Sequence, residues 1–206
     1  VRMQAPFSGV LCGAGKDNRT HFAAVVSSDR FGKAGNAPRR LVFVFDRSGS
    51  MEGEPIRQAR NAVLACLGAL SAADQIGFIA FDSAIESFKD ALADTDTRTR
   101  EELRNFIEQV EARGGTELFQ GLNAASKLLG RAGGDLFVLT DGQVSATEDI
   151  IQSANALGIR IHCLGISSAS QDRFLAQLAR NTGGISRFVT PRERVDQAAL
   201  ELFAAI

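Results

Sequence analysis

Residues Leu41 to Ser50 read LVFVFDRSGS, five apolar positions in unbroken succession followed by a carboxylate. A strand with one wet face alternates apolar and polar residues, so an unbroken run predicts a strand buried on both faces, as in a parallel sheet. The chain then changes character at once. Asp46, Ser48 and Ser50 fall at alternate positions and place three oxygen side chains on one loop at the strand's carboxyl end.

Outward from this stretch the chain alternates strand and helix. Pro55 sits where a first helical turn begins, and Ile56, Ala59, Val63, Leu64, Leu67 and Leu70 follow at helical spacing. Ile76–Phe81 (IGFIAF) reads as a second buried strand and Ile85–Phe88 as a short edge strand. Thr99 with Glu102 reads as a capping box for a helix bearing Leu103, Phe106, Ile107 and Val110, stopped by Gly114–Gly115. Leu118, Leu122, Ala125, Leu128 and Leu129 mark the next helix, and Asp135–Leu139 a strand that ends at Thr140-Asp141-Gly142. Ser145 with Glu148 caps a further helix closed by Gly158. Ile159–Gly165 is a strand, Phe174, Leu175 and Leu178 lie on a short helix, Ile185–Val189 is a strand, and Val195, Ala199, Leu202 and Phe203 mark a last helix.

This order predicts an α/β fold with a doubly wound, mostly parallel central sheet flanked by helices. Functional loops in such sheets gather at the carboxyl ends of the strands, near the switch point. Residues 1–38 stand apart as an N-terminal strand (His21–Ser28) and a linker, leaving 39–206 as the main domain.

Composition narrows the function classes. The 206 residues are 45% apolar and 23% charged, enough for one ordinary core and too apolar for a disordered chain. A net charge of −1 and the absence of Trp and Tyr leave neither a phosphate-binding field nor a stacking platform, so nucleic acid is not an expected partner. No apolar run approaches the ~18 residues of a membrane span. Cys12, Cys66 and Cys163 form no C-x-x-C pair, which excludes a zinc ribbon or thioredoxin-type site. They read as reduced, which favours a cytoplasmic over an exported protein. Abundant Arg and Ala point to a bacterial source, and Val1 in place of Met points to a piece of a longer protein with flanking domains.

The chemistry lies in five oxygen side chains. Asp46, Ser48 and Ser50 share one loop, Thr116 follows Gly114-Gly115 on a second, and Asp141 ends another strand. Five hard oxygens without a soft ligand suit a hard divalent cation, Mg²⁺ first and Mn²⁺ next. Two carboxylates neutralise the ion and three hydroxyls add no charge, so the ion stays electrophilic towards an incoming carboxylate. The plain alternative is a Ser-rich turn capping the helix at Pro55, which would not require Thr116 and Asp141 at two other strand ends. Arg47 is expected to point to solvent at the rim, and Asp82 and Glu117 to be solvated loop charges.

Enzyme patterns fit poorly. His162 lies inside an apolar strand and reads as a sheet histidine, and Gly165-Ile166-Ser167-Ser168-Ala169 lacks the second Gly of a nucleophile elbow. Gly13-Ala14-Gly15-Lys16 has Asp17 where a phosphate loop needs Ser or Thr. A phosphatase of the haloacid-dehalogenase type needs an acid where Ser48 stands.

D-x-S-x-S after an apolar strand, a distant Thr and then T-D-G resembles the von Willebrand factor type A (VWA) domain, over residues 39–206. The resemblance implies a metal-ion-dependent adhesion site. In it Ser48 and Ser50 are direct ligands, Thr116 binds directly or through water, and Asp46 and Asp141 act mostly through water. Phe45–Met51, Gly114–Leu118 and Val138–Gly142 look closest to inter-alpha-trypsin-inhibitor heavy chains and bacterial proteins that pair a VIT domain with a type A domain. Residues 1–34 are then the tail of a VIT domain. The implied function is non-enzymatic: binding of a partner protein's Asp or Glu through the metal, with loops 51–54, 84–87, 116–119 and 143–147 setting specificity and the last helix, 194–205, able to shift. Two alternatives stay open: a structural domain of a larger polypeptide whose metal only stabilises the loops, and a metal-assisted hydrolase.

Overall fold

The computed structural model describes residues 9–14, 20–25, 38–144, 147–166, 172–189 and 193–206. The chain divides into two compact units, Val1–Ala37 and Pro38–Ile206. In the first, β1 (Gly9–Ala14) and β2 (Thr20–Val25) pair antiparallel, with Gly9 opposite Val25 and Ala14 opposite Thr20. The sequence pattern located β2 and missed β1, whose two glycines in GVLCGA dilute the apolar signal. Residues 26–28, the linker at 31–37 and the Gly15–Asp17 stretch lie outside the described residues.

The second unit runs β3 (Arg40–Asp46), α1 (Glu54–Ala69), β4 (Gln75–Phe81), β5 (Ile85–Ser87), β6 (Ala93–Asp94), α2 (Thr97–Glu108), α3 (Leu118–Leu129), β7 (Asp135–Thr140), α4 (Thr147–Ala156), β8 (Arg160–Ile166), α5 (Asp172–Asn181), β9 (Ser186–Val189) and α6 (Val195–Ala204). Strands β3, β4, β7, β8 and β9 are parallel, in the order β4-β3-β7-β8-β9. The short β5 and β6 pair antiparallel with β4 at the edge. This is the α/β, mostly parallel sheet expected from the alternation.

The unbroken run at Leu41–Phe45 now has its reason. Leu41, Phe43 and Phe45 pack into the layer of α1, α2 and α6, while Val42 and Val44 pack into the layer of α3, α4 and α5. Every position from Leu41 to Phe45 is covered, and none of the five is polar. Each such side chain contributes roughly 1.5–3 kcal/mol through burial. Cys66 and Cys163 are free and buried among these residues, and burial pushes both thiols up to about 12. Among the described residues no helix is long and apolar enough to cross a membrane.

Two helix starts bear on the reading. Pro55 stands in the first turn of α1, as its fixed φ favours. Helix α2 begins three residues earlier than the capping-box pattern placed it: Asp96 is the cap, its carboxylate accepting the Thr99 N–H at 2.7 Å. Asp is as good a cap as Thr, and Glu102 is drawn instead to Arg98 and Lys89. Ser145, read as the cap of α4, lies outside the described residues.

From β3 the chain winds out to β4 on one side, then returns to β7, β8 and β9 on the other. The carboxyl ends of β3 and β7 therefore flank the switch point, where the loops that leave them part to opposite sides of the sheet.

Candidate functional site

Asp46 closes β3 and is fully buried. Its Oδ1 accepts the Ser48 N–H at 2.8 Å, and its Oδ2 accepts the Thr140 hydroxyl at 2.5 Å. Thr140 in turn accepts the Gly142 N–H at 2.9 Å, which shapes the turn after β7. Burial pushes the Asp46 carboxyl up to about 6, against the pull of the Thr140 and Ser48 donors and with a further push from the charge of Asp141. Asp141 is also buried, and its Oδ1 accepts the Gln143 N–H at 3.0 Å. Both oxygens of Asp46 are thus engaged by the protein itself.

Ser48 is buried and Ser50 exposed, and their hydroxyl oxygens lie 3.1 Å apart. The 3₁₀ turn Gly49–Met51 that follows Ser48 curls the loop so that these two side chains meet. The Thr116 loop is tied to this turn by backbone bonds. Gly114 C=O accepts the Gly49 N–H at 3.1 Å, and Arg47 C=O accepts the Arg113 N–H at 2.7 Å. Gly114 holds φ +69°, where only glycine rests without strain, and a Cβ there would stand 3.2 Å from the Asp82 Cβ. The fold therefore gathers the loops of all five predicted residues, Asp46, Ser48, Ser50, Thr116 and Asp141, at one end of the sheet.

Three expectations need correction. Arg47 does not point to solvent: it is buried, with its guanidinium against Asp82 at 3.4 Å and bonded to Glu86. Asp82 is not a solvated loop charge, since it is buried and also takes the Ala84 N–H at 2.6 Å and Arg113 Nε at 2.8 Å. Burial opposes its charge, but Ala84, Arg113 and Arg47 together hold its carboxyl below the usual range. Met51 is fully buried and offers nothing to a partner. Glu117 is exposed, as expected. Thr140, whose place beside Asp141 in the T-D-G motif is the signal for it, is a further residue of the site: its hydroxyl fixes Asp46.

The donor set suits a small hard cation. Octahedral Mg²⁺ with oxygens at 2.0–2.1 Å places neighbouring ligands roughly 2.9 Å apart, and the serine hydroxyls stand 3.1 Å apart. His162 belongs elsewhere. Its Nε2 donates to Asp135 at 3.1 Å and its Nδ1 accepts the Ile185 N–H at 3.2 Å, towards the amino ends of β7 and β8.

Comparison with known proteins adds a lineage to this geometry. A family model described as von Willebrand factor type A domain matches residues 39–188. The chain is 29% identical over 172 residues to inter-alpha-trypsin inhibitor heavy chain H4 of Bos taurus, covering 73% of this chain and 18% of that protein. It is 30% identical over 167 residues to heavy chain H3 of Rattus norvegicus, covering 73% and 19%. The match thus spans under a fifth of these relatives. A solved von Willebrand factor type A structure from Catenulispora acidiphila superposes with a TM-score of 0.72 at 19% identity, over 90% of this chain and 44% of that one. At that identity the likeness speaks for the fold.

Proposed function

The chain belongs to the von Willebrand factor type A domain family, and from that premise we propose that it is a metal-dependent protein-interaction domain. Asp46, Ser48, Ser50, Thr116 and Asp141 would hold one Mg²⁺, with Mn²⁺ an acceptable substitute. The bound ion supplies a Lewis-acidic position that an Asp or Glu side chain of a partner protein can occupy. Ser48 and Ser50 present hydroxyls without charge, Asp141 supplies a carboxylate, and Asp46, already bonded to Ser48 and Thr140, keeps the loop in shape. The observation that carries the reading is the serine pair on a turn bonded through Gly114 to the Thr116 loop. Binding rather than catalysis is proposed because His162 is committed to Asp135 and Ile185, away from the site. The likeness to inter-alpha-trypsin inhibitor heavy chains supports reading the β1–β2 unit as the tail of a VIT domain.

The test uses the Mn²⁺-loaded protein and water-proton relaxation, with a short peptide bearing a single Glu and its Gln counterpart. The Glu peptide displaces metal-bound water and lowers the relaxation enhancement, whereas the Gln peptide does not. Equal effects of the two peptides would contradict the proposal.

A second reading, a structural domain whose metal only stabilises the loops, is favoured by one observation: the loops are already cross-tied by the Ser48–Asp46, Thr140–Asp46 and Gly49–Gly114 bonds. Under it Ser48→Ala lowers the melting temperature and leaves affinity for the Glu peptide unchanged.

A further inference from the structure

A cleft of about 560 Å³ opens beside the proposed metal position. Thr116 and Glu117 of the loop before α3 and Gln143 of the loop after β7 line its mouth, and its walls come from the first turns of α3 and α4, through Leu118, Phe119, Asp149 and Ile150. The volume lies within the roughly 300–1,000 Å³ typical of ligand sites. Thr116 belongs to both the cleft and the candidate metal set, so a segment whose carboxylate reaches the metal passes the cleft mouth.

The lining has a definite chemistry. Leu118, Phe119 and Ile150 give it apolar walls, with Leu118 and Ile150 almost wholly covered. Glu117 and Asp149 are exposed carboxylates of the lining, and neither has a cationic partner among the described residues. A side chain that lays an apolar stem on Phe119 and Ile150 and ends in a cation complements both features. Lys and Arg are the two residues built this way. An acidic or purely apolar side chain meets only part of the lining.

We propose that this cleft receives a Lys or Arg side chain next to the acidic residue of the partner, so that the domain selects a basic–acidic pair rather than an acid alone. The inference rests on the metal–carboxylate reading above. Both carboxylates also lie at helix amino ends, where the helix dipole favours negative charge. Their role in recognition is therefore read from binding and not from stability.

The experiment compares three peptides by calorimetry in excess Mg²⁺: acetyl-Gly-Lys-Ala-Glu-Ala-Lys-Gly-amide, the same with Gln for both Lys, and the Lys peptide with Gln for Glu. The first binds roughly three- to fivefold tighter than the second at low salt, as expected for partly exposed ion pairs. The gap closes in the Glu117→Gln/Asp149→Asn double variant and shrinks at high salt. A Mg²⁺ titration of that variant matching the parent protein shows the metal position intact. Equal affinity for the first two peptides, or a preference that survives in the double variant, overturns the cleft assignment and leaves the metal reading standing. Equal affinity for the first and third peptides overturns the metal–carboxylate reading, and the cleft assignment falls with it.

Discussion

Arg47 and Asp82 form a buried ion pair, with guanidinium Nε 3.4 Å from carboxylate Oδ2 and side chains only 4% and 5% exposed. The pair follows from strand register: Asp46 of β3 lies opposite Phe81 of β4, so the next residue of each strand meets the other. Arg113 donates to the same Asp82 oxygen at 2.8 Å. One carboxylate thus pins the loop bearing Ser48 and the loop leading to Thr116 to the end of β4.

Asp82→Asn should therefore cost more than Arg47→Met. The first leaves the buried Arg47 charge with only Glu86, and removing one partner of a buried pair costs about 3–5 kcal/mol. The second leaves Asp82 still served by Arg113 and Ala84, and it also removes the Arg47 Nε and Nη2, both buried without a hydrogen-bond partner. Urea unfolding of both variants checks the order, and equal losses would show that Asp82 does not centre the network.

Gly114 and Gly130 separate backbone strain from crowding. Both hold positive φ, +69° and +59°, so an Ala at either position should cost about 1–2 kcal/mol. Only at Gly114 does the added Cβ crowd Asp82, while at Gly130 it meets open space. Gly114→Ala should thus lose more stability and also weaken Mg²⁺ binding, whereas Gly130→Ala leaves Mg²⁺ binding unchanged. Equal Mg²⁺ affinities in the two variants would argue that the Gly114 turn does not position Thr116.

Acid sensitivity should trace in part to Asp135. Burial opposes its charge, but the His162 ring and Arg160 together hold its carboxyl below the ordinary value of 3.8. A depressed carboxylate contributes stability that is complete above about pH 3.8 and is lost as pH falls through the folded-state value below it. Asp135→Asn should cost about 1–3 kcal/mol at neutral pH and flatten the stability–pH curve below pH 4. Parallel curves for the two proteins in that range would exclude the pair as a source of acid lability.

Long local patterns made most of this fold readable. Leu41–Phe45 announced a doubly covered strand because helices on both faces forbid a polar residue anywhere in it. The loops of Asp46, Ser48, Ser50 and Asp141 meet because the winding order brings the ends of β3 and β7 together. The Thr116 loop follows a helix, not a strand as its spacing suggested, and joins them through the Gly49–Gly114 and Arg113–Arg47 backbone bonds. Contacts set by register were harder to see. Arg47 looks like a rim residue until β4 is laid beside β3, and the available signal was an opposite charge one place past the end of the neighbouring strand. The Thr99–Glu102 pattern misplaced the cap of α2, because Glu102 pairs with Arg98 and Lys89 and Asp96 caps the helix instead.

On the proposed reading, Asp46, Ser48, Ser50, Thr116 and Asp141 together hold one divalent cation. Calorimetric titration of EDTA-stripped protein with Mg²⁺, beside the Ser48→Ala/Asp141→Ala variant, tests it most directly. Binding should be saturable at a single site in the parent protein and absent in the variant, and the melting temperature should rise with Mg²⁺ only in the parent, by the equivalent of about 2.7 kcal/mol at a hundredfold excess over Kd. Binding of equal strength in both proteins, or none in either, would contradict it.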